Sequence, residues 1–145
     1  SNGNVHIVQL TEPCSSDAVV NASICRSMGI PTSPWNKDIC CEALVLIDAM
    51  FGTGIDRPVQ GVYADAINTC NLCSSPCISL DIPSGLDCNS GKPLGSCIEA
   101  TLTISFVGMK QGFMNESAKK FLGDVLIADI GCPITLLEKY GNSPT

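Results

Sequence analysis

The chain has 145 residues, of which 45% are hydrophobic and 15% charged, and its formal net charge is −6 at pH 7. This composition is typical of a globular protein rather than a disordered one, and the length fits a single domain. The acidic balance argues against nucleic acid as the main partner, and no apolar run reaches the ~18 residues that a membrane-spanning helix needs.

The first predicted elements are a strand and a helix. Val5–Leu10 is predicted as a strand because it is rich in β-branched residues. Ser15 offers N-cap chemistry for a helix that ends at Gly29. The apolar stripe of this helix consists of Val19, Val20, Ile24 and Met28. Residues 31–37 are predicted as a loop, since their two prolines oppose regular structure.

The rest of the chain alternates between predicted strands and one clear helix. The strands are Ala43–Ile47, Ile78–Asp81, Thr101–Val107 and Val125–Ala128, and the helix is Val59–Cys70. The unbroken apolar run that ends at Ile47 is typical of a strand buried on both faces. Alternation of this kind predicts a mostly parallel sheet with helices on both faces. We expect the strands that end at Ile47 and Leu80 to be interior.

The ten cysteines bear on the compartment and on metal binding. No signal-peptide pattern opens the chain, so the thiols are expected to be reduced in the cytoplasm, with mitochondria as an alternative. Only Cys70-x-x-Cys73-x-x-x-Cys77 has metal-like spacing, whereas a structural zinc site usually takes a second Cys or His pair. The single histidine, His6, is distant in sequence. Zinc ligands and small core residues remain the two alternatives for these thiols.

Two of the predicted strands end in a carboxylate. Asp48 follows one apolar run and Asp81 ends another, and each is followed by a turn rich in Gly, Pro or Ser. In open parallel sheets, ligands bind beyond the carboxyl ends of the strands. A single Asp in this place is commonly a helix cap or turn residue. Two at equivalent positions favour a binding site.

Four segments resemble successive motifs of one family, in the family's order and spacing. They are "VLIDAMFGTGIDRPVQGVYADAI", "SLDIPSGLDCNSGKPLG", "EATLTISFVGMKQG" and "VLIADIGCP". The similarity is to the NAD(P)H-hydrate epimerase family, the YjeF N-terminal domain, and covers essentially all of residues 1–145 as one domain. It implies a Rossmann-like three-layer αβα fold with a mostly parallel sheet.

The resemblance also implies an activity and its partners. Enzymes of this family interconvert the R and S hydrates of NADH and NADPH, so that a dehydratase specific for the S form can repair both. A bound potassium ion and a homodimer are typical of the family. The alternative is a non-catalytic, dimerising binding or scaffold module of the same fold. The presence of Asp48, Asp81 and Ser84 favours the enzyme.

The resemblance assigns roles to particular residues. Asp48 and Ser84 match potassium ligands, and potassium prefers such oxygen donors. The substrate loop comprises Gly52, Thr53, Gly54, Ile55, Asp56, Arg57 and Pro58. Its glycines lack Cβ atoms, so that backbone N–H groups can approach a pyrophosphate. Asp81 matches a substrate contact and is the candidate for catalytic proton transfer. Lys110 can pair with a phosphate or with an Asp, or it can be a solvated loop residue.

One departure from the family pattern concerns the start of the chain. The family opens with a helical extension, a first strand and a loop resembling "GNNGGDG", whereas this chain matches from "VHIVQL" at 5–10. The expectation is therefore an N-terminally truncated, partial domain whose first strand is missing. We expect the 145 residues alone to be nearly inactive.

Overall fold

The computed structural model describes residues 4–140, which form two parallel sheets surrounded by helices. The strands are β1 (Ile7–Gln9), β2 (Thr32–Pro34), β3 (Leu46–Asp48), β4 (Cys77–Leu80), β5 (Leu102–Phe106) and β6 (Asp124–Ala128). The helices are α1 (Ser16–Ser27), α2 (Lys37–Glu42), α3 (Val62–Leu72), α4 (Lys119–Leu122) and α5 (Ile134–Tyr140). None of these helices is long and apolar enough to cross a membrane.

The larger sheet has the strand order β3-β4-β5-β6, and every neighbouring pair is parallel. Asp48 lies opposite Ser79 in its register, and Ser79 lies opposite Thr103. β1 and β2 form a separate parallel pair. This architecture is the Rossmann-like α/β fold that was predicted. It brings the carboxyl ends of β3 and β4 side by side, and these ends carry the two candidate acids.

The predicted loop over residues 31–37 is wrong. Thr32–Pro34 is strand β2, in which Thr32 pairs with Ile7 and Pro34 with Gln9. A proline cannot donate to a sheet, but it is tolerated at a sheet edge, and β2 has one partner strand in the described chain. The short helix α2 was not predicted at all. It begins after Asn36, whose side chain accepts a hydrogen bond from the Asp38 N–H.

The expectation of an interior position holds for β4 but is wrong for β3. Within residues 4–140, β3 lies at the edge of the four-stranded sheet. Leu44 is 90% exposed and Ile47 57% exposed, whereas Leu46 is buried. An apolar run predicts that a strand is buried on both faces, but this requires other elements of the fold to pack against each face of the strand. No described element covers Ile47.

Two helices depart from the sequence prediction in smaller ways. α1 begins at the predicted Ser15 cap, whose hydroxyl accepts from the Ala18 N–H, yet none of its residues is buried. α3 begins at Val62 rather than at Val59. Val59 is buried in a bridge to Gly95, and its N–H donates to the Leu94 carbonyl.

The core consists of two clusters of buried side chains. One is formed by Cys40, Leu46, Val59, Ile67, Cys77, Ile98 and Ala100. The other is formed by Ile82, Leu86, Cys97, Phe113, Ala118, Phe121 and Leu122. The segment after β4 contributes to the second cluster through Ile82 and Leu86, so the loop that follows Asp81 is fixed by burial.

Gly85, in that same loop, is expected to tolerate no side chain. Its φ is +97°, and a Cβ atom would lie 2.1 Å from the Ser96 carbonyl oxygen. Gly85→Ala should lower the free energy of unfolding by more than about 2 kcal/mol, since it combines a strained φ with overpacking. Urea unfolding measures the change. Gly54→Ala is the matched control, because nothing lies within 4 Å of a Cβ there. An equal loss in both variants would contradict this account.

Candidate functional site

Asp48 is the most densely bonded carboxylate of the site. It is 4% exposed and accepts hydrogen bonds from the Ser79 hydroxyl at 2.8 Å, the Ser84 N–H at 2.8 Å and the Ser84 hydroxyl at 2.6 Å. The Met50 N–H approaches it at 3.3 Å. One side chain therefore ties the end of β3 to β4 and to the loop after β4. Asp48 and Ser84, which the family resemblance names as ligands of one ion, are in direct contact.

Ser84 extends this network to the loop after β3. Its hydroxyl accepts from the Phe51 N–H at 2.9 Å and lies 3.5 Å from the Phe51 carbonyl oxygen. Phe51 immediately precedes the glycine loop, so the position of that loop depends on Asp48 through Ser84. One hydroxyl group thus connects the loop after β3 with the loop after β4.

The oxygen donors around Ser84 fit a hard cation by their chemistry. A carboxylate, a hydroxyl and a backbone carbonyl converge here, from Asp48, Ser84 and Phe51. A carboxylate offers about four acceptor positions, and protein donors already approach Asp48 from four directions. A cation at this place would therefore take over contacts that the Ser84 hydroxyl now makes.

The thiols near Asp48 do not complete a metal site. Burial, with the Asp48 carboxylate as a further cause, raises the pKa of Cys77 to about 12. Burial likewise raises the pKa of Cys70 to about 12, with neighbouring thiols adding to it. Within residues 4–140, no group of three or more His, Cys, Asp or Glu side chains is arranged to hold a metal ion. Cys77 is buried in the core at the start of β4, and the half-buried Cys70 packs against that core, which favours the second of the two alternatives.

Asp81 and Lys110 form an ion pair at the carboxyl end of β4. Lys110 Nζ lies 2.6 Å from Asp81 Oδ1, and their side chains are 18% and 22% exposed, respectively. Lys110 also donates to the Phe106 carbonyl at 3.0 Å. The interpretation of Lys110 as a solvated loop residue is therefore wrong, and it pairs with an Asp. The pair is partly buried and still reachable from solvent.

The backbone is strained beside this pair. Asp81 and Val107 both have φ of +70°, and they are the non-glycine residues with positive φ in the described chain. A β-branched residue such as Val107 is seldom found there. Strain of this kind costs on the order of 1–3 kcal/mol and clusters at functional sites. One strained residue is Asp81 itself, which carries the carboxylate. The other, Val107, lies in the loop that carries Lys110.

The glycine loop forms an open cleft next to Asp81. Its volume is about 330 Å³, and its lining is Met50, Phe51, Gly52, Gly54, Ile55, Asp56 and Arg57. A Cβ atom on Gly52 would lie 3.8 Å from Asp81 Oδ2, so the acid borders the loop. Thr53 and Pro58 are exposed on the same loop. The structure thus brings the predicted loop and Asp81 together, and Lys110 joins them through its ion pair.

Sequence analysis missed Ser79 and Tyr63. Ser79 is fully buried in an otherwise apolar strand and lies opposite Asp48 in the sheet, which is a signal the sequence did contain. The Tyr63 ring packs 4.7 Å from the Phe51 ring, and its hydroxyl lies 2.7 Å from that of Thr11. Tyr63 therefore joins the glycine-loop cleft to a second cleft of about 320 Å³ at the ends of β1 and β2.

These features define a class of protein: a Rossmann-like α/β domain with acids and a glycine loop at the carboxyl edge of a parallel sheet. The model of the family described as "YjeF-related protein N-terminus" matches residues 1–112. The chain belongs to this family. A crystal structure of yeast ynu0 (YNL200c) shares the fold, with a TM-score of 0.76 at 16% sequence identity, over 98% of this chain and 61% of that one.

Curated relatives carry names that match the resemblance. The NAD(P)H-hydrate epimerase of Limosilactobacillus fermentum is 36% identical over 115 residues, which are 79% of this chain and 55% of that protein. The enzyme of the same name from Limosilactobacillus reuteri is 40% identical over 88 residues, covering 61% of this chain and 42% of that protein. The bifunctional NAD(P)H-hydrate repair enzyme Nnr of Coxiella burnetii is 27% identical over 110 residues, 76% of this chain and 22% of that protein. The chain spans about half the length of the epimerases.

Proposed function

We propose that this domain carries the epimerase site for the R and S hydrates of NADH and NADPH. The supporting observation is the Asp81–Lys110 ion pair, 2.6 Å long and bordered by the glycine loop. The names of the relatives point to the same chemistry. A partly exposed carboxylate on strained backbone is typical of a functional site, so these residues favour the enzyme over the non-catalytic alternative.

Epimerisation requires that the C6–O bond of the hydrate break and re-form on the other face of the ring. The ring nitrogen stabilises the positive charge that develops at C6 when the oxygen departs. The leaving oxygen takes up one proton and becomes water, and the incoming water gives up one proton as it adds. We assign the acceptance of the proton of the incoming water to the Asp81 carboxylate, and the donation of a proton to the leaving oxygen to Lys110. Substrate and product have the same chemical formula, and only the configuration at C6 differs.

The glycine loop is proposed to bind the pyrophosphate of the substrate. Gly52 and Gly54 leave the backbone accessible, and Arg57 adds a positive charge at the exposed rim of the cleft. At the other end of the loop, Gly52 borders Asp81. A phosphate bound by the glycine loop would therefore place the attached nucleoside near Asp81. The aromatic pair of Phe51 and Tyr63 forms the wall behind the loop.

Asp48 and Ser84 are proposed to hold a potassium ion, together with the Phe51 carbonyl. The support is the chemistry of the three oxygen donors, which suits a hard cation. When bound, the ion would supply positive charge next to the substrate loop. Ser84 also acts independently of any ion, because its hydroxyl accepts from the Phe51 N–H and thereby fixes the start of the glycine loop.

Thermal unfolding distinguishes the enzyme from a scaffold of the same fold. We expect potassium chloride to raise the unfolding midpoint more than sodium chloride at equal ionic strength, and added hydrate to raise it further. Ligand at 100 times its dissociation constant stabilises the folded state by about 2.7 kcal/mol. Unmodified NADH serves as the control ligand and should protect less. Equal protection by both salts, and none by the hydrate, would favour the scaffold.

The partners are also proposals. From the family resemblance we propose a dehydratase that uses only the S hydrate as the functional partner. The Coxiella burnetii relative is named a bifunctional hydrate repair enzyme. A homodimer is proposed from the family resemblance. Sedimentation equilibrium of the protein tests the dimer directly, with a single species of twice the monomer mass as the expected result.

A further inference from the structure

Five cysteines meet where α2 packs against the end of α3. They are Cys40 and Cys41 in α2, Cys70 in α3, Cys73 at its C-cap and Cys77 at the start of β4. The two cysteines of α2 belong to two separate pairs, Cys40 with Cys70 and Cys41 with Cys73. Cys40 lies next to Cys70, and the sulfur atoms of Cys41 and Cys73 lie 2.7 Å apart. The proposed epimerase chemistry uses none of these thiols.

The Cys41–Cys73 pair contains the most exposed of these thiols. Cys41 is exposed and Cys73 is half-buried, whereas in the other pair Cys40 is buried and Cys70 is half-buried. The sulfur atoms of Cys41 and Cys73 are less than an ångström farther apart than the ~2.05 Å of a disulfide bond. Little movement of either helix is therefore needed to join them.

The inner pair is protected from the same chemistry. Burial raises the pKa of Cys40, and it raises the pKa of Cys70 to about 12. The thiolate is the reactive form, so the buried Cys40 thiol, with its raised pKa, is inert. Partial burial and the adjacent Cys41 thiol raise the pKa of Cys73 to about 11. The exposed Cys41 is therefore the thiol that attacks first.

We propose that Cys41 and Cys73 form a reversible disulfide by exchange with a low-molecular-weight disulfide such as glutathione disulfide. The Cys41 thiolate attacks one sulfur of glutathione disulfide, breaks its S–S bond and releases one glutathione thiolate. The Cys73 thiolate then attacks the Cys41 sulfur of this mixed disulfide and releases the second glutathione. The two protein thiols lose two protons and two electrons in total, and glutathione disulfide is reduced to two thiols.

The bridge would constrain the part of the chain that carries the candidate site. It closes the segment from residue 41 to residue 73, which contains β3, the glycine loop and α3. Cross-links of this kind stabilise a protein mainly by restricting the unfolded chain. Oxidation is therefore expected to raise the thermal unfolding midpoint, whether or not the protein is an epimerase.

The experiment equilibrates the protein in glutathione redox buffers and blocks the remaining thiols with N-ethylmaleimide. Cleavage before aspartate gives one peptide of residues 38–47 and another of residues 65–80, so a bridge joins two separate peptides. Tandem mass spectrometry then assigns the linked cysteines. We expect Cys41 joined to Cys73 and an unfolding midpoint higher than that of the reduced protein.

Two variants and a control decide the assignment. Cys73→Ser should leave Cys41 as a stable glutathione adduct, and Cys41→Ser should lower the yield of linked peptides by at least about tenfold, since the effective concentration of the pair is lost. Cys14→Ser removes an exposed thiol elsewhere and should change neither result. Circular dichroism confirms that each variant is folded. A bridge that persists in Cys41→Ser, or the absence of any link in the unsubstituted protein, would overturn the proposal.

Discussion

Asp81→Asn, made in the natural protein that contains this chain, is expected to lower the rate of hydrate epimerisation by about 10²–10⁴-fold. The amide keeps the shape of the side chain but cannot accept the proton of the incoming water. Asp81 lies 2.6 Å from Lys110 and borders the glycine loop, so the loss falls on the reacting centre. The measurement is the turnover of purified R hydrate, with the Michaelis constant determined alongside.

Two controls make this result specific to Asp81. Asp17→Asn makes the same chemical change on the exposed face of α1 and should keep the full rate. The Michaelis constant of Asp81→Asn should change much less than its turnover number, because the phosphate contacts of the loop remain. If Asp81→Asn turns over at the unsubstituted rate, Asp81 is a binding or turn residue and the proposed proton transfer is wrong.

Asp48→Ala is expected to lower the free energy of unfolding by about 3 kcal/mol or more and to abolish potassium binding. Three buried donors lose their acceptor, namely the Ser79 hydroxyl and the hydroxyl and N–H of Ser84. Each unsatisfied buried donor costs about 1–3 kcal/mol. Removing the only carboxylate of the proposed cation site leaves neutral oxygens. Urea unfolding gives the stability, and thermal midpoints in potassium and sodium chloride give the ion preference.

Ser84→Ala separates the two roles of this network. It keeps the Asp48 carboxylate and its bonds to Ser79 and the Ser84 N–H, so its stability loss should be smaller. It removes one proposed potassium ligand and the acceptor of the Phe51 N–H. We expect Ser84→Ala to weaken the preference for potassium over sodium. A potassium preference that survives in Asp48→Ala would rule out the proposed cation site.

The sequence was most informative where a local signal and the fold agree. The Ser15 cap begins a helix as predicted, and the apolar run of β4 is interior. The two acids at strand ends lie at one edge of the sheet as expected, because the carboxyl ends of parallel strands lie together. The closeness of Asp48 and Ser84 follows from the same rule.

The remaining features depend on contacts between distant segments. β2 exists because Thr32 pairs with Ile7, and its prolines gave the opposite local signal. The exposure of Ile47 depends on what covers β3 rather than on its own composition. Lys110 pairs with Asp81, which is distant in sequence, and the positive φ of Val107 in the intervening turn is not predicted by any residue pattern.

The most direct test of the proposed function is the conversion of purified R hydrate of NADH to the S hydrate, followed by chromatography. The natural protein that contains this chain is compared with buffer alone, with its Asp81→Asn variant, and with the Limosilactobacillus fermentum epimerase as a positive control. Conversion well above the spontaneous rate, lost in Asp81→Asn, is the result that the site geometry predicts. Conversion at the spontaneous rate by the folded protein, while the positive control is active, would contradict it.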